Sequence, residues 1–176
     1  MRYLWVLFFA FASASFAETS ARYSVHFPLS EGWKLGHKQE VSGTGTEHDG
    51  TALYEWVRGE ETVHTWTELF SVTVHPDTRE VPSDKFLEAS VAVMKSHFGA
   101  DATVDKVETK GKTALLGWTL AGSKAYPDQT TLMYAFPLGK GMVTVQYARK
   151  GRTLTAPEIA ERKLFLENVK VVPAAK

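Results

Sequence analysis

Apolar and polar residues alternate with a period of two along most of the chain, a pattern typical of β-strands that bury one face. Glycine and proline residues separate the alternating stretches. The predicted strands are Arg22–Phe27, Trp33–Val41, Leu53–Arg58, Thr65–His75, Thr103–Glu108, Thr113–Ala121, Gln129–Phe136 and Met142–Arg149. Because short turns connect most of them, we expect antiparallel pairing.

The clearest alternation is the one from Thr65 to His75. It puts Trp66 and Phe70 on one face together with Glu68, and we expect that face to be buried. The threonine-rich opposite face is expected to stay in contact with water. A hairpin with the preceding strand, Leu53–Arg58, is the simplest connection.

Two segments carry helical signals instead. The first has Ser83 as its candidate N-cap and Gly99 just past its end, with an apolar stripe between them. The stripe consists of Leu87, Val91, Met94 and Phe98. The second helix is predicted to begin at a capping box formed by Thr155 and Glu158 and to run to about Asn168.

The order of these elements is four strands, a helix, four strands and a second helix. Each helix has an apolar stripe that it can bury against a sheet. The predicted fold is therefore an α+β domain in which an antiparallel sheet of about seven to eight strands is layered with two main helices. We expect one domain over residues 18–172 and a loose tail over residues 173–176.

Residues 1–17 have the layout of a secretory signal peptide. Arg2 supplies a positive charge, an apolar run from Tyr3 to Phe11 follows, and Ser15-Phe16-Ala17 fits the small-x-small rule for signal peptidase. We predict cleavage after Ala17, with a site after Ala14 as the second choice. A membrane-spanning helix would need roughly 20 apolar residues. The mature protein is thus expected to be periplasmic or secreted, without a transmembrane segment.

Composition narrows the class of protein further. The 176 residues include 20 basic and 20 acidic side chains, so the formal net charge is zero, and 44% of the chain is hydrophobic. These values exclude a disordered chain and give no electrostatic attraction to nucleic acid. The absence of cysteine excludes disulfides, cysteine-based metal clusters and a thiol nucleophile.

Local motifs for catalysis, metals or cofactors are absent from the sequence. The six histidines include no pair at helical metal-site spacing, and there is no G-x-S-x-G, no S-x-x-K and no phosphate-binding glycine loop. The best local metal or proton-relay candidate is Glu47-His48-Asp49 in the glycine-rich loop Ser42–Gly50, for which a solvated turn is the favoured interpretation. We expect no cofactor and no metal.

The candidate binding residues are Trp56, Trp66, Glu68 and Arg149. A carboxylate on a buried strand face needs a partner or a raised pKa. Glu68 is therefore either paired structurally, with Arg149 or Arg58, or an acid in a pocket. The tryptophans either fill the core or line a ligand cleft or partner surface.

The segment Arg22–Trp33, RYSVHFPLSEGW, resembles the opening of PsbP-like and DcrB-like domains, where an aromatic strand enters a P-x-G-W turn. Pro28 and Gly32-Trp33 match that turn with a longer spacer. The segment Leu53–Val74, and VTVQYARKG followed by a helix containing Pro-Glu, are similar to small exported bacterial proteins of this kind. The resemblance implies an antiparallel sheet layered with helices and an accessory, scaffold or chaperone-like role, with no functional residue to carry over.

These features predict an exported, non-catalytic binding or accessory protein of the bacterial cell envelope. Its partner would be a protein or an envelope component. Two alternatives stay open. One is an immunity or chaperone-like protein for one specific partner, and the other is a hydrolase with a scattered site around Glu68 or the loop of His48.

Overall fold

The computed structural model describes residues 22–27, 32–41, 50–78, 80–124 and 127–173. These residues form ten β-strands and two α-helices, and the predicted α+β class is confirmed. The strands are β1 (Tyr23–His26), β2 (Trp33–Glu40), β3 (Ala52–Arg58), β4 (Glu68–His75), β5 (Ala102–Val104), β6 (Glu108–Lys110), β7 (Thr113–Leu120), β8 (Gln129–Leu138), β9 (Gly141–Lys150) and β10 (Lys170–Pro173). The helices are α1 (Ser83–Phe98) and α2 (Ala156–Glu167).

Eight strands form the main sheet, and every pairing in it is antiparallel. The strand order is β2–β3–β4–β9–β8–β7–β5, and β6 also pairs with β7. The predicted hairpins β3–β4 and β8–β9 are both present. Among the described strands β2 has a neighbour on one side only, so it forms an edge of the sheet.

Helix α1 covers one face of the main sheet, called here the α1 face, over β5, β7 and β8. Its buried side chains include Leu87, Met94 and Phe98, three residues of the predicted stripe. The Phe98 ring stacks on Trp118 with 5.6 Å between ring centroids. Ser83 is the first helical residue rather than the N-cap, and its hydroxyl donates to the carbonyl oxygen of Lys112 at 2.7 Å.

The opposite face of the main sheet, called here the α2 face, carries the larger core. Helix α2 begins at the predicted capping box, in which the Thr155 backbone N–H donates to Glu158 Oε2 at 2.8 Å. The strands β1 and β10 pair with each other, and Val171 packs into the same core. Strand β10 was not predicted, because four residues are too few for an alternation to be recognised.

Strand β4 begins at Glu68, three residues later than its alternation predicts. A turn precedes it, in which the Thr65 backbone N–H donates to the carbonyl oxygen of Thr62 at 3.0 Å. Trp66 consequently packs with Leu69 on the α1 face, whereas Phe70 lies in the core of the α2 face. The prediction that Trp66 shares a face with Phe70 and Glu68 is therefore wrong.

The polar face of β4 also differs from expectation. Ser71 and Thr73 were expected to contact water, but each is only 8% exposed. Neither α1 nor α2, the helices of the described part of the chain, has the length and apolar character that a membrane span requires.

Candidate functional site

Three charged side chains meet on the α2 face, where β3 ends, β4 begins and β9 ends. Glu68 is buried, and its Oε2 accepts a hydrogen bond from Arg58 Nε at 3.0 Å. Its Oε1 accepts a second hydrogen bond from Arg149, which lies directly opposite Glu68 in the β4–β9 pairing. Both partners proposed from the sequence are thus confirmed. We call Arg58, Glu68 and Arg149 the arginine–glutamate cluster.

Glu68 bridges the two arginines of this cluster. Each carboxylate oxygen of Glu68 accepts from a guanidinium group, so the carboxylate joins two arginines in one ionic network. The arginine side chains are 31% and 30% exposed, so solvent still reaches them. The cluster therefore holds two arginines in place at the surface.

Arg58 joins this cluster to the edge of the sheet. Its guanidinium carbon lies 4.5 Å from the centroid of the Trp33 ring, a cation–π arrangement. Trp33 pairs with Arg58, and Leu35 pairs with Trp56, in the β2–β3 register, so all four side chains lie on one face. Leu35 is 50% exposed, and both tryptophans are half-buried. We call Trp33, Leu35, Trp56 and Arg58 the edge patch.

The edge patch rests on the aromatic core below it. The Trp56 ring contacts Phe27 edge-on at a centroid distance of 4.9 Å, and Phe70 at 5.3 Å. Phe70 in turn contacts Phe165 of α2 at 5.2 Å. These contacts restrict the Trp56 side chain, so its orientation is fixed in the free protein.

A second ionic group fixes the start of α2 near the cluster. Arg152 Nη1 donates to Glu158 Oε2 at 2.9 Å, and hydrogen bonds from Arg152 and Thr155 hold the pKa of Glu158 well below its usual range. Helix α2 also contacts β9 here, because the guanidinium carbon of Arg162 on α2 lies 4.9 Å from the ring centroid of Tyr147 on β9. Burial, with the negative charge of Glu68 as a second cause, raises the pKa of the Tyr147 hydroxyl.

Three of the four candidate residues from the sequence are thus near one another. Trp56, Glu68 and Arg149 lie on the α2 face, whereas Trp66 lies on the α1 face at 8% exposure. Lys150 Nζ is 3.9 Å from the Trp66 ring centroid, and burial lowers the pKa of Lys150. Trp66 is therefore a core residue separated from the edge patch by the sheet.

Sequence reasoning missed Trp33 and Leu35 as members of the patch. Their segment was predicted to be extended, but the alternation alone does not show that β2 forms a sheet edge. The described residues contain no group of three or more potential metal-ligating His, Asp or Glu side chains. The cluster around His48 lies outside the described residues.

Comparison with known proteins adds little to this picture. No protein-family model matches the chain, and no curated protein matches it. One solved structure that it resembles is LpqN, described as involved in cell envelope biogenesis of Mycobacterium tuberculosis. The identity is 12%, the match covers 88% of this chain and 87% of that one, and the TM-score is 0.42. A likeness this weak carries no argument about function, and no match supports the PsbP-like or DcrB-like resemblance.

Proposed function

We propose that this protein is exported to the bacterial cell envelope and acts there as a non-catalytic accessory protein that binds a partner protein through the edge patch. The observation that carries the proposal is Leu35, a large apolar side chain that is 50% exposed beside Trp33, Trp56 and Arg58. Tryptophan and arginine are the residue types most enriched where protein interfaces derive their binding energy. An apolar side chain exposed among them is available to a partner.

The surroundings of the patch support a binding role over catalysis. Glu68 is buried and paired with both Arg58 and Arg149, which favours a structural role for it over the hydrolase alternative centred on it. Trp56 is fixed by the core, so little order is lost on association. An immunity or chaperone-like protein would be a special case of the same proposal, with one partner bound tightly. We also propose that the mature chain forms one domain over residues 18–172. We propose further that it belongs to the PsbP-like or DcrB-like group.

Export gives the first testable prediction. Intact mass measured on protein from the envelope fraction should correspond to a chain that begins at Glu18, because Ser15-Phe16-Ala17 fits the signal peptidase rule. A chain that begins at Ser15 would indicate the second site. Recovery of the full-length chain in the membrane fraction would contradict cleavage.

The binding role is tested by charging the edge patch. In the variant Leu35→Asp, a carboxylate replaces the exposed apolar side chain at the centre of the proposed interface. We expect affinity purification of the tagged mature protein, with quantitative mass spectrometry, to lose its main specific partner. Burying an unpaired carboxylate at the core of an interface is costly, so the amount of partner recovered should fall at least about tenfold.

Leu164 offers a matched control, since it is 63% exposed on α2 and is not part of the patch. The variant Leu164→Asp makes the same chemical change and should retain the partner. Thermal unfolding of both variants checks that the fold is unchanged. Equal recovery of the partner with Leu35→Asp and with the unmodified protein would show that the edge patch is not the interface.

A further inference from the structure

Four polar side chains lie side by side on the α1 face, across four neighbouring strands. The strand register pairs His37 of β2 with Glu55 of β3, Glu55 with Ser71 of β4, and Ser71 with Gln146 of β9. Directly paired residues of an antiparallel sheet point to the same side. We call His37, Glu55, Ser71 and Gln146 the polar row. It lies on the opposite side of the sheet from the edge patch.

Helix α1 does not extend over this row. It packs on β5, β7 and β8, and it reaches β4 at His75, at the far end of that strand from Glu68, where the ring centroids of Phe86 and His75 are 5.0 Å apart. Glu55 and Gln146 are half-buried, while Ser71 between them is buried and has the shortest side chain of the row. The row therefore has its lowest point at β4, between two longer side chains.

Glu55 stands out because none of the described residues balances its carboxylate. Among the described residues it has no hydrogen-bond donor and no cationic partner. Burial raises the pKa of Glu55, and no charged side chain contributes to that shift. A half-buried acid without a partner costs stability in the free protein, and a bound cation would remove that cost.

We propose that Glu55, Ser71 and Gln146 form a binding site for an aliphatic primary ammonium group. An ammonium group carries three N–H donors and a positive charge. The site offers a carboxylate, a hydroxyl and an amide oxygen as acceptors, placed on three strands about 4.8 Å apart. The ammonium group would supply both the charge and the donors that Glu55 lacks.

Other occupants fit the polar row less well. An anion would meet the uncompensated carboxylate of Glu55, and a hard divalent cation would find only one carboxylate where such ions take several oxygen ligands. His37 does not supply the missing charge, because burial, with His64 as a second cause, lowers its pKa. The ammonium group remains the chemistry that matches charge and donor number together.

The test uses two probes, because an ammonium group can come from a free amine or from a lysine side chain. Cadaverine represents the first source and an acetylated, amidated lysine the second, and calorimetric titration of the mature protein measures both affinities. We expect saturable binding of at least one probe, and the stronger one identifies the source. The variant Glu55→Gln keeps the shape and removes the charge, so the affinity should fall about tenfold or more.

Glu55→Gln should fold at least as well as the unmodified protein, since it removes an unpaired, half-buried carboxylate. Urea unfolding at neutral pH checks this, and loss of binding then cannot be ascribed to unfolding. The control variant Glu88→Gln changes an exposed carboxylate on α1 and should leave the affinity unchanged. The proposal is overturned if neither probe binds saturably, if Glu55→Gln binds as well as the unmodified protein, or if Glu88→Gln loses affinity to the same extent.

Discussion

Replacement of Trp66 by alanine is expected to lower the free energy of unfolding by about 3–5 kcal/mol, the range for a large aromatic side chain removed from a core. Trp66 is buried against Val57, Leu69 and Ala148, and Lys150 closes over its ring. The substitution would therefore leave a cavity under the loop that joins β3 to β4. Urea unfolding followed by circular dichroism measures the difference.

Trp33 provides the comparison for this prediction. It is half-buried in the edge patch, where it packs against the edge of the core and stacks on Arg58. Because part of its ring already contacts water, we expect Trp33→Ala to cost about 1–2 kcal/mol, less than removal of a fully buried aromatic side chain. Trp33→Ala should therefore be clearly more stable than Trp66→Ala. If Trp66→Ala unfolds at the same urea concentration as the unmodified protein, the assignment of Trp66 to the core is wrong.

The second large effect is expected for Glu68→Gln. Removing one partner from a fully buried ion pair costs about 3–5 kcal/mol, because the remaining charge is left uncompensated. Here two arginines lose their shared carboxylate, but both are about 30% exposed and solvent screens part of the loss. We therefore expect destabilisation of about 2 kcal/mol in urea unfolding.

A double-mutant cycle separates the ion pair from other effects of the substitution. Glu68→Gln combined with Arg149→Gln should give a coupling energy of about 0.5–3 kcal/mol, as residues in one ionic network do. The exposed pair of Lys85 and Glu88 is the control, and Glu88→Gln should change stability by less than about 0.5 kcal/mol. A coupling energy of zero would mean that Glu68 and Arg149 do not stabilise each other.

The local elements were readable from the sequence because their signals are local. The stripe of Leu87, Met94 and Phe98 has helical spacing and is buried in α1. The capping box of Thr155 and Glu158 begins α2 as predicted. Alternation likewise gave the two hairpins and, with them, the antiparallel α+β class.

The features that could not be predicted from the sequence are those set by strand pairing. A turn precedes β4, and Trp66 therefore lies on the opposite face from Phe70. The alternation of residues could not reveal this turn, because the residues on both sides of it follow an extended pattern. In β2 the register shifts between Leu35 and His37, so the two halves of that strand pair with β3 out of phase. The polar row containing Glu55 can be recognised only when the register of four strands is known.

Some residues of the candidate site could likewise be predicted from local sequence signals, whereas others depend on how the strands pair. Glu68 could be picked out because a carboxylate on an apolar strand face is conspicuous, and Arg58 and Arg149 were its nearest plausible partners. Leu35 could not be picked out, since an apolar residue in a strand is expected to be buried. Its exposure results from the position of β2 at the edge of the sheet.

The central claim, that the edge patch contacts a partner protein in the envelope, is tested most directly by photo-crosslinking in cells that produce the protein. A photoreactive amino acid is placed at position 35, and in a second strain at position 164. We predict one discrete protein adduct from position 35 and none of that mass from position 164. The absence of an adduct from position 35, or the same adduct from both positions, would contradict the claim.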